Sequence, residues 1–409
     1  MNLNHLNNIQ SVINDFTSKN HVAGVNVLVY KDNKEIGYWQ SGFADVEAKK
    51  AFSRDTICRM YSMSKTVTAV ATYKLIEQGK LDLSQQLKDI LPEFAEVTVC
   101  SDIGPNGKPH PAARPILIQD LLNMTSGYGY GANWEGSTYG EHQASALIDE
   151  LNKDAEGPCK ITTQDFAKKV AGVSLNFEPG TDYQYGFSAD ILGAVIEKVS
   201  GQKFSDFLNK NIFAPLGMND TAFYVPEQKQ PRLSKVYRTV PDQADKDKLA
   251  LQAFEGCNLG IQYKMDHAPS FESGGAGLCS TVDDFMKFGL MLLNRGQFKK
   301  EQILQGPTVD FMSSAALRDD IQQKFDKKME HLSGYTYCNL LRIAKEPEKC
   351  KVITTKGEYG WDGWLGPYLG VDPANKLVVV MTMQKIDSGT WDLTRCVKNI
   401  IYSSLKKSH

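Results

Sequence analysis

Segments that look like β-strands lie near the two ends of the 409-residue chain, and helical patterns fill most of the middle. Near the N-terminus, GVNVLVY (24–30) and EIGYWQSG (35–42) flank the polar stretch KDNK, which is typical of a hairpin turn. The sequence therefore predicts an α+β fold in which both termini contribute strands to one sheet. The later strand predictions cover 335–343, 351–361, 367–373 and 376–384.

Apolar residues at helical spacing predict helices at both ends of the chain, over 5–19 and 390–405. Further helices are expected over 63–78 and 188–200, the second with Ser188 as a candidate N-cap. Residues 116–127 suggest a short helix that runs into a turn, and the polar, proline-containing stretch 225–250 suggests an excursion over the surface.

These patterns predict two domains. Residues 1–85 together with 265–409 are expected to form an α/β sheet domain flanked by the N- and C-terminal helices. Residues 86–264 are expected to form an inserted, mostly helical domain. A cleft between two such domains is a common place for a ligand site, so the active site is expected there.

Charge and composition exclude several classes of partner. Lys plus Arg (46) nearly balance Asp plus Glu (48), so there is no basic field for nucleic acid or an anionic membrane. The longest strand-like apolar run, LVVVMTM (377–383), is too short to span a bilayer. The polar N-terminus lacks the basic and apolar regions of a secretory signal. The expected partner is a small molecule, and the oligomeric state stays open.

Cysteine and histidine spacing predicts no metal or other cofactor. The eight cysteines are scattered without a CxxC pair, which favours reduced thiols in a cytoplasmic protein. The seven histidines are isolated and form no HExxH motif. No phosphate-binding Gly-x-x-x-x-Gly-Lys-Ser/Thr loop and no Gly-x-Ser-x-Gly elbow are present, which argues against nucleotide binding and an α/β-hydrolase.

The sharpest chemical signal is YSMSKTVTAV (61–70), where Ser62 and Lys65 lie three residues apart at the start of a predicted helix. A serine hydroxyl is a weak nucleophile that needs a neighbouring base, and a buried lysine can serve if its pKa is lowered. Ser-x-x-Lys also starts at Ser200, Ser403 and Ser404, so the spacing alone is weak evidence. Only the first pair opens a largely apolar helix, in which a charged amine is costly.

Two other segments carry candidate site residues. In FEPGTDYQYGFSADILGAVIEKVSG (177–201), Tyr185 lies at a loop-to-helix junction, where a phenol could transfer a proton. In GEYGWDGWLGPYLGVDP (357–373), glycines interrupt a strand, which indicates either a close approach of the backbone to a ligand or an edge strand with a turn. The aromatic segment 126–142 suggests one side of the cleft, or equally a packed loop.

From residue 10 to residue 385 the chain resembles the serine β-lactamase and penicillin-binding-protein superfamily in its class C-like branch. Within that branch it is most similar to family VIII carboxylesterases and related transesterases. The resemblance implies a β-lactamase/transpeptidase-like fold. It is carried by RMYSMSK (59–65), ILIQDLLNMTSG (116–127), residues 177–201, PLGMNDTAF (215–223), SGGAGLCSTVDDFMKFGLMLLNRG (273–296) and YGWDGWLGPYLGVDP (359–373).

The resemblance also implies roles for individual residues. Ser62 would be the acylated nucleophile, and Lys65 and Tyr185 would share the general base and acid work, with the base left open between them. The backbone N–H groups of Ser62 and Trp364 would form the oxyanion hole. The implied reaction is hydrolysis of an ester through an acyl-enzyme, or acyl transfer.

Two departures from the β-lactamase pattern bear on the substrate. Phe187 stands where those enzymes have the asparagine of Tyr-x-Asn, and it offers no hydrogen bond. Trp361-Asp362-Gly363 stands where they have Lys-Thr-Gly, whose lysine helps to hold a substrate carboxylate. Losing such a cation forfeits about 1.5–3 kcal/mol for an anionic substrate. We therefore expect neutral carboxylic esters as substrates, with Phe187, Trp361, Asp362 and Gly363 as substrate-binding residues.

Two alternatives stay open from the sequence. One is a β-lactamase or D-alanyl carboxypeptidase-like hydrolase of the same superfamily. The other is a member of the same fold that binds ligands without turnover. Phe187 and Asp362 favour it because they leave the site with fewer hydrogen-bonding groups than the β-lactamases have.

Overall fold

The computed structural model describes residues 1–389 and 391–405, and its centre is one antiparallel sheet of eight strands. The strand Leu377–Met383 (β8) pairs with the strand Gly24–Lys31 (β1), from Val25 opposite Met383 to Lys31 opposite Leu377, so the two ends of the chain meet in the middle of the sheet. The order across the sheet is β4-β5-β6-β7-β8-β1-β2-β3. The strands are β1 Gly24–Lys31, β2 Lys34–Asp45, β3 Lys50–Ala51, β4 Tyr335–Cys338, β5 Leu341–Ala344, β6 Tyr359–Asp362, β7 Tyr368–Asp372 and β8 Leu377–Met383.

Helices cover both faces of this sheet and fill the segment between its two halves. The described α-helices are α1 Leu3–Leu6, α2 Asn8–Ser18, α3 Ser64–Glu77, α4 Ile118–Leu122, α5 Tyr139–Glu156, α6 Thr163–Ala171, α7 Ser188–Ser200, α8 Phe204–Leu208, α9 Ala214–Leu216, α10 Val282–Leu293, α11 Gly306–Ser314, α12 Asp319–Lys328 and α13 Asp392–Ser403. Short strand pairs join Cys58–Arg59 to Cys279–Ser280, Thr98–Val99 to His110–Pro111, Tyr237–Pro241 to Leu249–Ala253, and Gln297–Phe298 to Glu301–Gln302.

Strand β8 shows how the two apolar layers arise, because successive side chains in a strand point to opposite faces. Val379 and Met381 pack in the core that includes residues of α2 and α13. Val378 and Val380 pack in the larger core that includes α3 and α10. Both faces are apolar, so the sheet is buried on both sides between its helices.

The antiparallel sheet built from both termini is confirmed, and so is the hairpin of β1 and β2. The prediction of one strand over 335–343 is wrong. The chain reverses at Asn339 and Leu340, whose φ angles are +55° and +58°, and β4 and β5 pair as a hairpin around them. A leucine in the left-handed region is uncommon. Because Leu340 is apolar, the strand-like pattern continues through the turn, and the sequence gives no signal for it.

Three other expectations need correction. Of 351–361, only the last residues belong to a strand, β6. The supposed surface excursion 225–250 contains most of the hairpin Tyr237–Pro241/Leu249–Ala253. Ser188 is the first residue of α7 rather than its N-cap, and its hydroxyl pairs with Ser126 Oγ at 2.9 Å.

The last helix is α13, and Thr390, where its prediction began, lies outside the described residues. The division into a domain of 1–85 with 265–409 and a domain of 86–264 stays a prediction. Within the described part of the chain, no helix is long and apolar enough to cross a membrane.

Gly289 of α10 lies where this helix packs on β7 and β8 and provides a test of the packing. An added Cβ would lie 2.6 Å from Cγ1 of Val378 and 3.0 Å from Cδ1 of Leu369. We expect Gly289→Ala to lower the free energy of unfolding by about 1–3 kcal/mol, because a β-branched neighbour cannot move aside. Urea denaturation measures the change.

The matched control is the double variant Gly289→Ala/Val378→Ala, which should lose less stability than the sum of its single changes. Relative to glycine, alanine stabilises a helix by about 1 kcal/mol. A stability gain in Gly289→Ala would therefore show that propensity outweighs packing and would contradict this account.

Candidate active site

Ser62 lies in a single 3₁₀ turn, Tyr61–Met63, that leads directly into α3. The preceding residue, Tyr61, has a φ of +44°, a conformation that costs a tyrosine about 1–3 kcal/mol. Tyr61 is buried, and its ring packs edge-on against Trp364 with 5.0 Å between centroids. Packing thus holds a strained turn that presents Ser62 at a cavity.

Lys65 lies one turn further along α3, and its amine is fully buried. Nζ lies 3.1 Å from Ser62 Oγ, 3.0 Å from the phenol oxygen of Tyr130 and 2.9 Å from the carbonyl oxygen of Gly275. No carboxylate of the described residues is within ion-pair distance of this amine. Burial therefore lowers the pKa of Lys65 to about 7, against a weaker opposing effect of Asp190.

Asp190, on the first turn of α7, acts on Lys65 through the backbone. Its Oδ1 accepts hydrogen bonds from the Gly275 N–H at 2.9 Å and from the Ser273 hydroxyl. Because the Gly275 carbonyl contacts Lys65, Asp190 fixes one partner of the amine without pairing with it. Burial raises the pKa of Asp190, and the nearby Lys65 opposes that rise.

Tyr185 reaches the same centre from the loop before α7. Its phenol accepts a hydrogen bond of 2.9 Å from Nε1 of Trp361, and the hydroxyl of Ser62 lies near it. Lys65 Nζ lies 4.6 Å from the centroid of its ring. Burial raises the pKa of Tyr185 well above its usual value, so the phenol is protonated at neutral pH.

Tyr130 is a member of the site that sequence analysis did not identify. It lies in the aromatic segment 126–142, which was the available signal, and its phenol oxygen contacts Lys65. The buried ring of Phe187 packs edge-on against Tyr130 with 5.1 Å between centroids. Phe187 thus supports Tyr130, which supplies the lysine with a polar partner where the β-lactamase pattern has an asparagine.

Strand β6 brings Trp361 to Tyr185 and ends in a turn beside the residues that precede Ser62. A Cβ on Gly363 would lie 2.3 Å from the carbonyl oxygen of Met60, so only glycine permits this approach. The N–H groups of Ser62 and Trp364, predicted to form the oxyanion hole, have no hydrogen-bond acceptor within residues 1–389 and 391–405. Both are therefore available to a ligand.

Asp362 is directed away from Trp361, because neighbouring strand residues point to opposite faces. Its Oδ2 lies 3.4 Å from Nη1 of Arg342 on β5. Arg342 also lies 3.4 Å from Glu358, which pairs with Lys398 of α13 at 3.1 Å. These two cations hold the pKa of the buried Glu358 down at about 2, against the effect of burial. Asp362 therefore belongs to a charge cluster behind the sheet.

A cavity of about 380 Å³ opens above Ser62. Segment 126–142 forms part of its wall, together with α5 and the loop around Leu259. Its lining does not include Phe187, Trp361, Asp362 or Gly363, so direct substrate contact by these four residues stays a prediction.

The structure brings Ser62, Lys65 and Tyr185 together, and their catalytic roles stay predictions. Lys203 of the rival pair that starts at Ser200 is paired with Glu272 at 2.6 Å. Lys406 and Lys407, the partners of Ser403 and Ser404, lie outside the described residues. In the part of the chain that is described, no three His, Cys, Asp or Glu side chains are grouped to hold a metal ion.

The fold and this serine–lysine–tyrosine centre are typical of one class of protein, and the comparisons with known proteins identify the family. Residues 9–391 match the beta-lactamase family, and the chain belongs to that family. It is 24% identical to esterase EstB of Burkholderia gladioli, over 97% of this chain and 94% of EstB. It is 29% identical to the lovastatin esterase of Penicillium rubens, over 76% of this chain and 72% of that protein.

Solved structures agree on the fold. EstCE1, described as a hydrolase with promiscuous acyltransferase activity, superposes with a TM-score of 0.77 at 23% sequence identity. The superposition covers 98% of this chain and 99% of EstCE1. At this identity the likeness shows the fold, and it confirms the predicted β-lactamase/transpeptidase-like architecture.

Labelling by a fluorophosphonate tests Ser62 as the nucleophile without any assumption about the substrate. We expect one covalent adduct, located at Ser62 by peptide mass spectrometry and absent in Ser62→Ala. Lys65→Met should slow labelling by about 10²–10⁴-fold, because the serine loses its base.

Ser200→Ala is the matched control, since it removes the serine of another Ser-x-x-Lys pair, and it should label like the parent. Labelling of Ser62→Ala at the parent rate would refute the nucleophile assignment.

Proposed function

We propose that the protein is a serine esterase that hydrolyses carboxylic esters lacking a carboxylate group through an acyl-enzyme on Ser62. The observation that carries the proposal is the buried amine of Lys65, 3.1 Å from Ser62 Oγ, with a pKa lowered to about 7. About half of such amines are neutral at pH 7, which is what a general base requires. The relatives named as esterases support the reaction type.

The pKa shifts favour Lys65 over Tyr185 as the base, because burial lowers the pKa of the amine to about 7 and raises the pKa of the phenol well above its usual value. The indole N–H of Trp361 only donates, so the phenol of Tyr185 accepts from Trp361 and directs its own proton elsewhere. A neutral Lys65 amine, 3.1 Å from Ser62 Oγ, can accept the serine proton while it donates to Tyr130 and to the carbonyl oxygen of Gly275.

The reaction follows from this arrangement. Ser62 Oγ attacks the ester carbonyl carbon as its proton passes to Lys65, and the carbonyl oxygen becomes an oxyanion held by the N–H groups of Ser62 and Trp364. The carbon–oxygen bond to the alcohol then breaks, and the proton that Lys65 took from Ser62 passes to the leaving oxygen, either directly or by way of the Tyr185 phenol. Water attacks the acyl-enzyme by the same path and releases the acid. Another alcohol in place of water gives acyl transfer.

The chemistry of the third motif supports esters without a carboxylate over β-lactams and peptide stems. Trp361 replaces the lysine that would attract a substrate carboxylate, and its indole is directed to Tyr185. Asp362, whose charge would repel an anion, pairs with Arg342 behind the sheet. The site therefore has neither the cation that favours an anionic substrate nor a carboxylate at this position that would reject one.

The cytoplasmic location stays part of this proposal. All eight cysteines lie within the described residues, and each is free. Free thiols are what a reducing compartment maintains.

Parallel assays with short-chain p-nitrophenyl esters and nitrocefin test the proposed function. We expect kcat/KM for the best ester to exceed that for nitrocefin at least about ten-fold, because the cation for a carboxylate is missing. Ser62→Ala should abolish both activities. Faster turnover of nitrocefin than of any ester would favour the β-lactamase alternative, and a well-folded protein inactive on both would favour ligand binding without turnover.

A further inference from the structure

The lining of the catalytic cavity has an unusual chemical balance. Four aromatic residues and one carboxylate are among the residues that line it, whereas the described lining includes no lysine, arginine or histidine. The other lining residues are neutral. The aromatic and charged residues of the lining are Tyr61, Tyr130, Tyr185, Trp364 and Asp149.

Asp149 contributes an unpaired negative charge. It lies on α5 with its side chain exposed at the cavity, and within residues 1–389 and 391–405 it has no hydrogen bond or ion pair. Its neighbour Glu150 differs in both respects, since it pairs with Lys169 at 2.8 Å and does not line the cavity. Asp149 is therefore free to attract a cation on the substrate.

Trp364 offers an electron-rich ring on the same cavity. Its indole N–H donates a hydrogen bond of 2.6 Å to Oδ1 of Asp387. Donation to a carboxylate shifts electron density into the indole, which strengthens the negative potential of the ring face. Tryptophan is already the aromatic side chain that attracts cations most strongly.

The loop beside Asp149 is tied to the same helix. Asn152 of α5 accepts a hydrogen bond of 2.8 Å from the N–H of Gly260, and Leu259 has a φ of +56°. This contact holds Asn258 and Leu259 in the cavity wall. A neutral hydrogen bond therefore fixes this part of the wall, and it places no cation beside Asp149.

We infer that the preferred substrates are esters that carry a quaternary or alkylated ammonium group. The inference rests on the proposed esterase function and extends it. The cation would lie beside the aromatic lining with Asp149 as its counter-ion, while a substrate carboxylate in the same place would be repelled. Neutral esters react without this gain. The cation can belong to the alcohol or to the acyl part, and the test separates the two.

The test compares each cationic ester with a neutral isostere in which carbon replaces the ammonium nitrogen. Acetylcholine and neohexyl acetate form the pair with the cation on the alcohol. The ethyl ester of γ-butyrobetaine forms the pair with the cation on the acyl group, and its isostere is the ethyl ester in which a tert-butyl group replaces the trimethylammonium group. In at least one pair, kcat/KM for the cationic ester should exceed that for the isostere by about 2- to 30-fold. Asp149→Asn should lower this ratio, and the matched control Glu150→Gln should leave it unchanged.

The outcomes separate this inference from the function on which it rests. A parent enzyme that hydrolyses the neutral isosteres with no preference for a cation in either pair overturns the inference and leaves the esterase proposal standing. A preference that is the same in Asp149→Asn also overturns the role of this carboxylate. A well-folded parent enzyme that hydrolyses none of the four esters and no p-nitrophenyl ester contradicts both the inference and the esterase proposal.

Discussion

The proposed chemistry of this protein depends on an amine that folding removes from water without giving it a counter-ion. Lys65 is fully buried, yet its partners are a serine hydroxyl, a phenol and a peptide carbonyl rather than a carboxylate. An ion pair would keep the amine protonated, whereas burial among neutral partners favours the neutral form. Asp190 stays one step away, bonded to the Gly275 N–H, and so orders the site without supplying a contact charge.

The replacement of the third-motif lysine by Trp361 gives the site a different organisation. In place of a cation for a substrate carboxylate, the strand supplies an indole donor that fixes the direction of the Tyr185 hydrogen bond. Asp362 then lies on the far face, where Arg342, Glu358 and Lys398 form a buried cluster. One strand thus serves two functions through its alternation of faces: catalytic geometry towards the cleft and charge pairing towards α13.

Short-range features were predictable from the sequence, and long-range contacts were not. The Ser62–Lys65 contact follows from spacing on one helix, and the sheet follows from strand patterns at both ends of the chain. Tyr185 was a candidate from its position at a loop-to-helix junction, and the family resemblance was needed to place it beside Ser62 and Lys65. Tyr130, Gly275 and Asp190 come from separate segments that tertiary packing brings together, so no spacing reveals them. The hairpin at Asn339 and Leu340 was missed because an apolar residue occupies its turn.

The most direct test of the account is the pKa of Lys65 itself, measured by NMR titration of the lysine side-chain signals with Lys65→Met as the assignment control. We expect a midpoint near 7, since burial disfavours the charged amine. Below that pH the amine is protonated and cannot accept the proton of Ser62. A midpoint near the usual lysine value of about 10.4 would mean a charged amine at neutral pH and would contradict the assignment of Lys65 as the base.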